Sequence, residues 1–261
     1  MKGIATGLDH VGVAVPDLDA AAAEWVALGF RVQKLAAHMA DGRPTGTGTG
    51  NRNIMLREGY IELLATIDAA RPSATIARFL AHHTGAHVLT LAIDDEDAAL
   101  ARLGRAGFST SLARSSRPAD PASPDGPQAA FARIPLAEAD PRLQLLRHLT
   151  PDLVWQERFL VHPNRARTLH EVIVAAEPQA GFAARLARAA GRPLVPDPEG
   201  GMALRLGDGA VRVLPPDVAA RLLPGVVIPA LPAIVGLVVQ TGDGGARRVG
   251  HASGVAVVFA G

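Results

Sequence analysis

There is no cysteine among the 261 residues. That excludes disulfides, thiolate nucleophiles and zinc-finger clusters, and leaves His, Asp, Glu, Gln or water to hold any metal. Lysine is nearly missing as well, with two Lys against 24 Arg, a bias that reads as genomic base composition. Neither sign of charge dominates, since 26 basic residues face 25 acidic ones, so there is no electrostatic footprint for nucleic acid. Aromatics make up only 4% of the chain, with Tyr60 as the sole tyrosine. Long apolar runs are absent too. The stretch from Val226 to Val239 is interrupted by Pro229, Pro232 and Gly236 and cannot serve as a membrane span. A strand-like pattern begins by residue 8, leaving no room for a signal peptide, and a cytoplasmic protein is the expectation. With 48% hydrophobic residues and a mean hydropathy of +0.18, the chain has ample material for a core.

What is present is concentrated in two short segments. In Leu8-Asp9-His10-Val11-Gly12-Val13-Ala14-Val15-Pro16-Asp17, three valines alternate with His10, Gly12 and Ala14, the period of a half-buried strand. In Gly59-Tyr60-Ile61-Glu62-Leu63-Leu64, Tyr60, Glu62 and Leu64 share one face and Ile61 and Leu63 the other. Each strand therefore carries a metal-ligand type on a face of small or mixed residues. An imidazole and a carboxylate converging on one cavity suit a divalent cation.

These segments, with the intervening helix ending in Leu28-Gly29-Phe30 and the Gly48-Thr49-Gly50-Asn51-Arg52 stretch, resemble the vicinal oxygen chelate superfamily, and within it the glyoxalase-like branch. The superfamily also holds extradiol dioxygenases and bleomycin-resistance proteins. The resemblance implies an α+β fold of repeated βαβββ modules, paired into a cup-shaped mixed sheet with helices outside. It implies no single reaction, because unrelated chemistries share this scaffold.

The pattern repeats along the chain. His10 precedes Asp17 by seven residues, as His87 precedes Asp94 and His170 precedes Glu177, and an Ala-rich helical segment follows each acid. Glycine closes each helix, at Gly29, Gly107 and Gly191, where a C-cap favours it. This periodicity predicts paired modules over 1–149, with module one at 7–68, module two at 84–149 and the active-site cup between them. A linker is expected at roughly 69–83, a connector at 150–165, and a third module with a degenerate fourth over 166–261. The Pro/Ser/Asp-rich segment 114–127 reads as a long loop beside the pocket.

His10 and Glu62 are the leading metal pair. The third ligand is open between His148 and His87. Strand parity turns His87 toward the helix side unless a bulge intervenes. His148 lies at the end of Leu143-Gln144-Leu145-Leu146-Arg147-His148, whose pattern sets Gln144 at the Glu62 position. Val88 falls where His10 sits, with Thr90 two residues on. Catalytic candidates are Glu62, His148 and Tyr60, and substrate-binding candidates are Arg52, Gln144 and Thr90. Arg52, beside a Thr/Gly run, suits an anionic group. Trp155 and His162-Pro163-Asn164 read as packing between modules. His38, His82, His83, His170 and His251 lack consistent partners and read as surface or structural.

The leading functional expectation is a metal-dependent lyase or isomerase on a small oxygen-chelating substrate, using Fe, Mn, Ni or Zn as a Lewis acid. A metal-free binding protein of the bleomycin-resistance type is the alternative, and an extradiol-type dioxygenase using His10, His87 and Glu62 ranks third. The partner is a small molecule, with neither nucleic acid nor membrane expected, and a homodimer is open to the chain.

Overall fold

The computed structural model describes residues 3–40, 43–44, 48–136, 139–177, 181–242 and 244–261. Of the Thr/Gly run flagged above, residues 45–47 lie outside the described residues. Module one is built from β1 (Gly7–Ala14), α1 (Leu18–Ala27), three two-residue strands β2 (Ala36–Ala37), β3 (Met39–Ala40) and β4 (Arg43–Pro44), then β5 (Thr49–Met55) and β6 (Tyr60–Thr66). Asp17 starts α1 by accepting from the N–H groups of Asp19 and Ala20 at 2.7 and 3.0 Å, a side-chain N-cap. Gly29, at φ +86°, stops it.

Module two repeats the order with β7 (Gly85–Ala92), α3 (Glu96–Arg105), β8 (Ala113–Pro118), β9 (Gln128–Pro135) and β10 (Arg142–His148). The segment between the modules is not the plain linker expected from sequence. It holds α2 (Ala74–His82), capped by the Ser73 hydroxyl on the Ile76 N–H at 3.3 Å. The expected long loop at 114–127 is likewise part strand, because β8 extends to Pro118.

The sheet pairing fixes the cup. β1 and β6 are parallel, β1 and β7 antiparallel, and β7 and β10 parallel. Next to β10 lie β9 and then β8, while β5 flanks β6. Residues 36–40 reach across the rim, with β2 on β5 and β3 on β8. Val11, Val13, Ile61 and Leu63 face outward, where they bury against Trp25 of α1. His10 and Glu62 therefore face the hollow side.

Beyond a short α4 (Pro151–Val154), the C-terminal half repeats this pairing with β11 (Ala166–Ala175), α5 (Phe182–Ala190), β12 (Val195–Pro196), β13 (Met202–Leu206), β14 (Gly209–Leu214), α6 (Pro216–Leu222), β15 (Ala233–Thr241), β16 (Arg248–Ala252) and β17 (Val255–Ala260). β11 pairs in parallel with β14 and antiparallel with β15, as β1 does with β6 and β7. Between the halves, strand pairing joins Ile234 with Ala86 and an isolated bridge joins Glu58 with Thr168, while the Ala5 N–H donates to the Ala190 carbonyl at 2.9 Å. One hydrophobic core spans both, running from Val11 and Trp25 through Leu103 and Leu186 to Phe259. Among the described residues no helix is long and apolar enough to cross a membrane.

Candidate active site

A cavity of about 350 Å³ occupies the hollow side of the first cup, lined by both modules and by Ile76 and Phe79 of α2. That volume suits a small organic ligand. Glycine keeps its floor open. A Cβ on Gly12 would lie 2.9 Å from Leu64 Cδ1 and from Val88 Cβ.

A bulge organises the chemistry. Leu8 opposes Leu91 and His10 opposes Thr90, so Asp9 is the unpaired extra residue. Breaking the alternation lets Asp9 reach its own neighbour, and His10 Nδ1–H donates to Asp9 Oδ1 at 2.6 Å. His148 Nε2–H donates to the second oxygen at 2.8 Å. Asp9 is 3% exposed. Burial alone would raise its pKa, but the adjacent His148 and the hydrogen bonds from both imidazoles outweigh it and pull the carboxyl down to about 2. Asp9 was not singled out in the sequence, because the period-2 pattern sends it to the opposite face from His10.

With Nδ1–H committed to Asp9, the His10 ring turns Nε2 to the cavity floor. There it meets the Thr90 hydroxyl at 2.9 Å, the Gln144 amide at 3.4 Å and Glu62 Oε2 at 3.5 Å. The Gln144 amide also donates to Thr90 Oγ1 at 2.7 Å. Tyr60 stacks on the imidazole, with centroids 4.4 Å apart. Burial, then the charges of Asp9 and Glu62, push the Tyr60 phenol well above its usual pKa, so it stays protonated.

Glu62 Oε1 accepts from Asn51 Nδ2 at 2.5 Å and lies 3.5 Å from His38 Nε2. Burial opposes its ionisation, yet the His38 hydrogen bond, the His10 and His38 charges and the Asn51 amide hold its pKa at about 2. His38, set aside on sequence, thus lines the cavity; its place depends on the short strands β2 and β3, which leave no periodic signal. Sequence reasoning also passed over Arg117, Arg133 and Arg142 on β8, β9 and β10, all of which line the cavity.

Three expected site residues lie elsewhere. Arg52 turns to the outer side and is held by Asp19 and by the Gln33 carbonyl. His87 is the extra residue of a second bulge, between the pairs Gly12–Val88 and Val13–Ala86. Its ring does not enter the cup; it packs on Phe79 and points its nitrogens at Asp140 (2.8 Å) and the His83 carbonyl (2.9 Å). His148 is close by but behind Asp9, enclosed by Phe131 and Trp155. Trp155 and His162 bond the carbonyls of Leu56 and Met55, which ties the connector to module one.

The set His10, Glu62, His148 and His87 is therefore not brought around one point. In the second module, the pairing registers set Val88 opposite Arg142 and Thr90 opposite Gln144, as His10 opposes Tyr60 and Gly12 opposes Glu62. The positions matching His10 and Glu62 are thus Val88 and Gln144. The two imidazoles near Glu62 each lie closest to a different oxygen. No three of His, Cys, Asp and Glu group for a metal ion among the described residues. Catalytic sites for these cations take at least three strong protein donors around one point. His10, His38 and Glu62 line this floor, but the imidazoles lie against different Glu62 oxygens and the three do not converge, so the donors as placed do not fit a resident metal.

The family profile described as "Glyoxalase-like domain" matches residues 8–190, more than half of the chain. The chain belongs to the glyoxalase-like domain family. That places it in the vicinal oxygen chelate superfamily, and the mixed α+β cup agrees. No curated protein matches this glyoxalase-like chain in sequence. Among solved structures it is similar to a hypothetical protein from Staphylococcus aureus, with a TM-score of 0.74 at 13% identity over 97% of this chain and 98% of that one. It is also similar to a mutant of 4-hydroxymandelate synthase from Streptomyces coelicolor, with a TM-score of 0.59 at 18% identity over 92% and 72%. At such identities the likeness is one of fold.

Proposed function

We propose that this glyoxalase-like protein is a lyase or isomerase that moves a proton on a small carbonyl-bearing substrate, with His10 as the base. The observation that carries this reading is the buried Asp9–His10 pair, which fixes the imidazole tautomer and aims Nε2 into the cup. Asp9 would stabilise the imidazolium formed when His10 takes a proton. Glu62 has a different part from the one first expected. A carboxyl held near pKa 2 is too weak a base to carry a proton at neutral pH, so Glu62 acts as a fixed negative charge that favours the imidazolium. The Thr90 hydroxyl and Gln144 amide are donors suited to a developing oxyanion. No step requires a metal.

We further propose that modules one and two over 1–149 form the working unit, residues 150–165 join the halves, and 166–261 serve as support. A second reading, sequestration without chemistry, is favoured by one feature: Thr90 and Gln144 already satisfy His10 Nε2. The two readings separate in deuterium oxide. Proton NMR of a panel of small carbonyl acids should show loss of the α-proton signal with the wild-type protein. His10→Ala should slow that exchange by about 100-fold or more. Saturable binding across the panel without exchange would sink the enzyme and leave the binder.

A further inference from the structure

The cup is electrostatically lopsided. On the cavity faces of β8, β9 and β10 stand Arg117, Arg133 and Arg142, and among the described lining residues no carboxylate stands beside Arg117 or Arg133. Facing them across the cavity, Glu62 is the one acidic lining residue among those described. Arg117 is 4% exposed, yet its Nη2 is buried without a hydrogen-bond partner, and Arg133 Nε is in the same condition. Leaving guanidinium donors unsatisfied in a buried site is costly. The second half offers a direct contrast. There a cavity of about 420 Å³ also contains an arginine, Arg212. Its guanidinium is held by both Asp197 oxygens at 2.7 Å and by Glu171 at 3.4 Å. Arg212 is neutralised by its own protein, whereas Arg117 lines its cavity with no carboxylate partner among the described residues.

We propose that Arg117, assisted by Arg133, is an oxyanion subsite that binds a carboxylate or phosphate group of the ligand. The planar fork of a guanidinium matches either group with paired hydrogen bonds. Phe131, whose ring lies 5.8 Å from the Arg117 guanidinium carbon, backs the subsite. The anion docks on the module-two wall while the rest of the ligand reaches His10 on the module-one floor. The inference deepens the proton-transfer reading by naming the substrate class, a small organic anion, but anion binding does not depend on that chemistry.

The test is calorimetric titration of the full chain at low ionic strength with benzoate, phenyl phosphate and the neutral analogue benzamide. Benzoate or phenyl phosphate should bind saturably and at least tenfold more tightly than benzamide, and the tighter of the two identifies the group the subsite favours. Arg117→Gln should weaken anion binding at least tenfold, with Arg117→Lys recovering part of it. Arg133→Gln supplies an independent readout if Arg117→Gln disturbs folding. His10→Ala should lose proton exchange yet still bind benzoate or phenyl phosphate more tightly than benzamide, so loss of proton exchange and loss of the anion preference are separate events. Equal binding of benzoate, phenyl phosphate and benzamide by the wild type overturns the proposal. So does anion binding of wild-type strength by Arg117→Gln with a native circular dichroism spectrum.

Discussion

Replacing Asp9 with Asn tests the centre of the site, because it removes one charge and leaves the shape. Asp9 is buried and carries two charge-assisted hydrogen bonds, from His10 and His148. Its carboxyl is held at about 2 against an ordinary 3.8, so in the folded state it contributes about 2 kcal/mol at neutral pH. Because the folded pKa lies below the unfolded one, this contribution is complete above about pH 4 and disappears as pH falls through 2. At pH 3 roughly half of it remains. Asparagine keeps one acceptor but presents an amide to the other imidazole N–H, which adds the loss of a hydrogen bond to a charged group, about 1.5 to 3 kcal/mol. Asp9→Asn should therefore lose about 3.5 to 5 kcal/mol at pH 7. The gap to wild type should narrow by about 1 kcal/mol at pH 3. Urea unfolding followed by circular dichroism at both pH values measures it. A gap of the same size at pH 7 and pH 3, or no gap at pH 7, would refute the buried-carboxylate account.

Gly12→Ala should cost about 1 to 3 kcal/mol by overpacking the floor, since its Cβ meets Leu64 and Val88 at 2.9 Å; an unchanged urea midpoint would contradict this. Added Zn(II), Mn(II), Ni(II) or Fe(II) should leave the melting temperature within about 1 °C of the metal-free value, as expected when no tight site binds the folded state. One equivalent retained through dialysis by the wild type and lost in Glu62→Ala would reverse that. Arg212→Ala should destabilise by about 3 kcal/mol, because it strands a buried carboxylate at Asp197. Denaturant titration with little or no change would show that the second cavity does not depend on this pair.

The legible part of the site was the part that obeys strand periodicity. His10 and Glu62 sit on regular stretches of β1 and β6, and Gln144 follows the same register on β10, so alternation alone turned them to the hollow side. Asp9 escaped because it is the extra residue of a bulge, and a bulge changes no residue count that a pattern would reveal. His87, the extra residue of a second bulge, was a named candidate, and its ring stays out of the cup as parity indicated. Arg117 and Arg133 escaped because β8 and β9 flank a Pro/Ser/Asp-rich turn that masks their alternation. α2 was missed for a weaker reason. Ser73 as N-cap, followed by Ile76, Phe79 and Leu80 at helical spacing, was a readable signal, and those side chains close one side of the cavity. The doubtful ligand set was foreshadowed, since Val88 and Gln144 at the matching positions could be read from the pattern before any distance was known.

The shared core has a consequence for how the molecule is assembled. α1 packs against β5 and β6 of its own module and also against β16 of the far half, where the Trp25 indole donates to Ser253 at 3.2 Å. On the convex side of the first cup, α1 is thus covered by β16 of the other half, and α3 is tied to α5 by Arg102 through the Arg188 and Ala189 carbonyls. A chain cut after residue 149 would strip that cover from Trp25 and Leu103, both fully buried in the intact protein. The C-terminal half is in effect a subunit mate carried on the same polypeptide. It is always present at a one-to-one ratio and is beyond the reach of dilution.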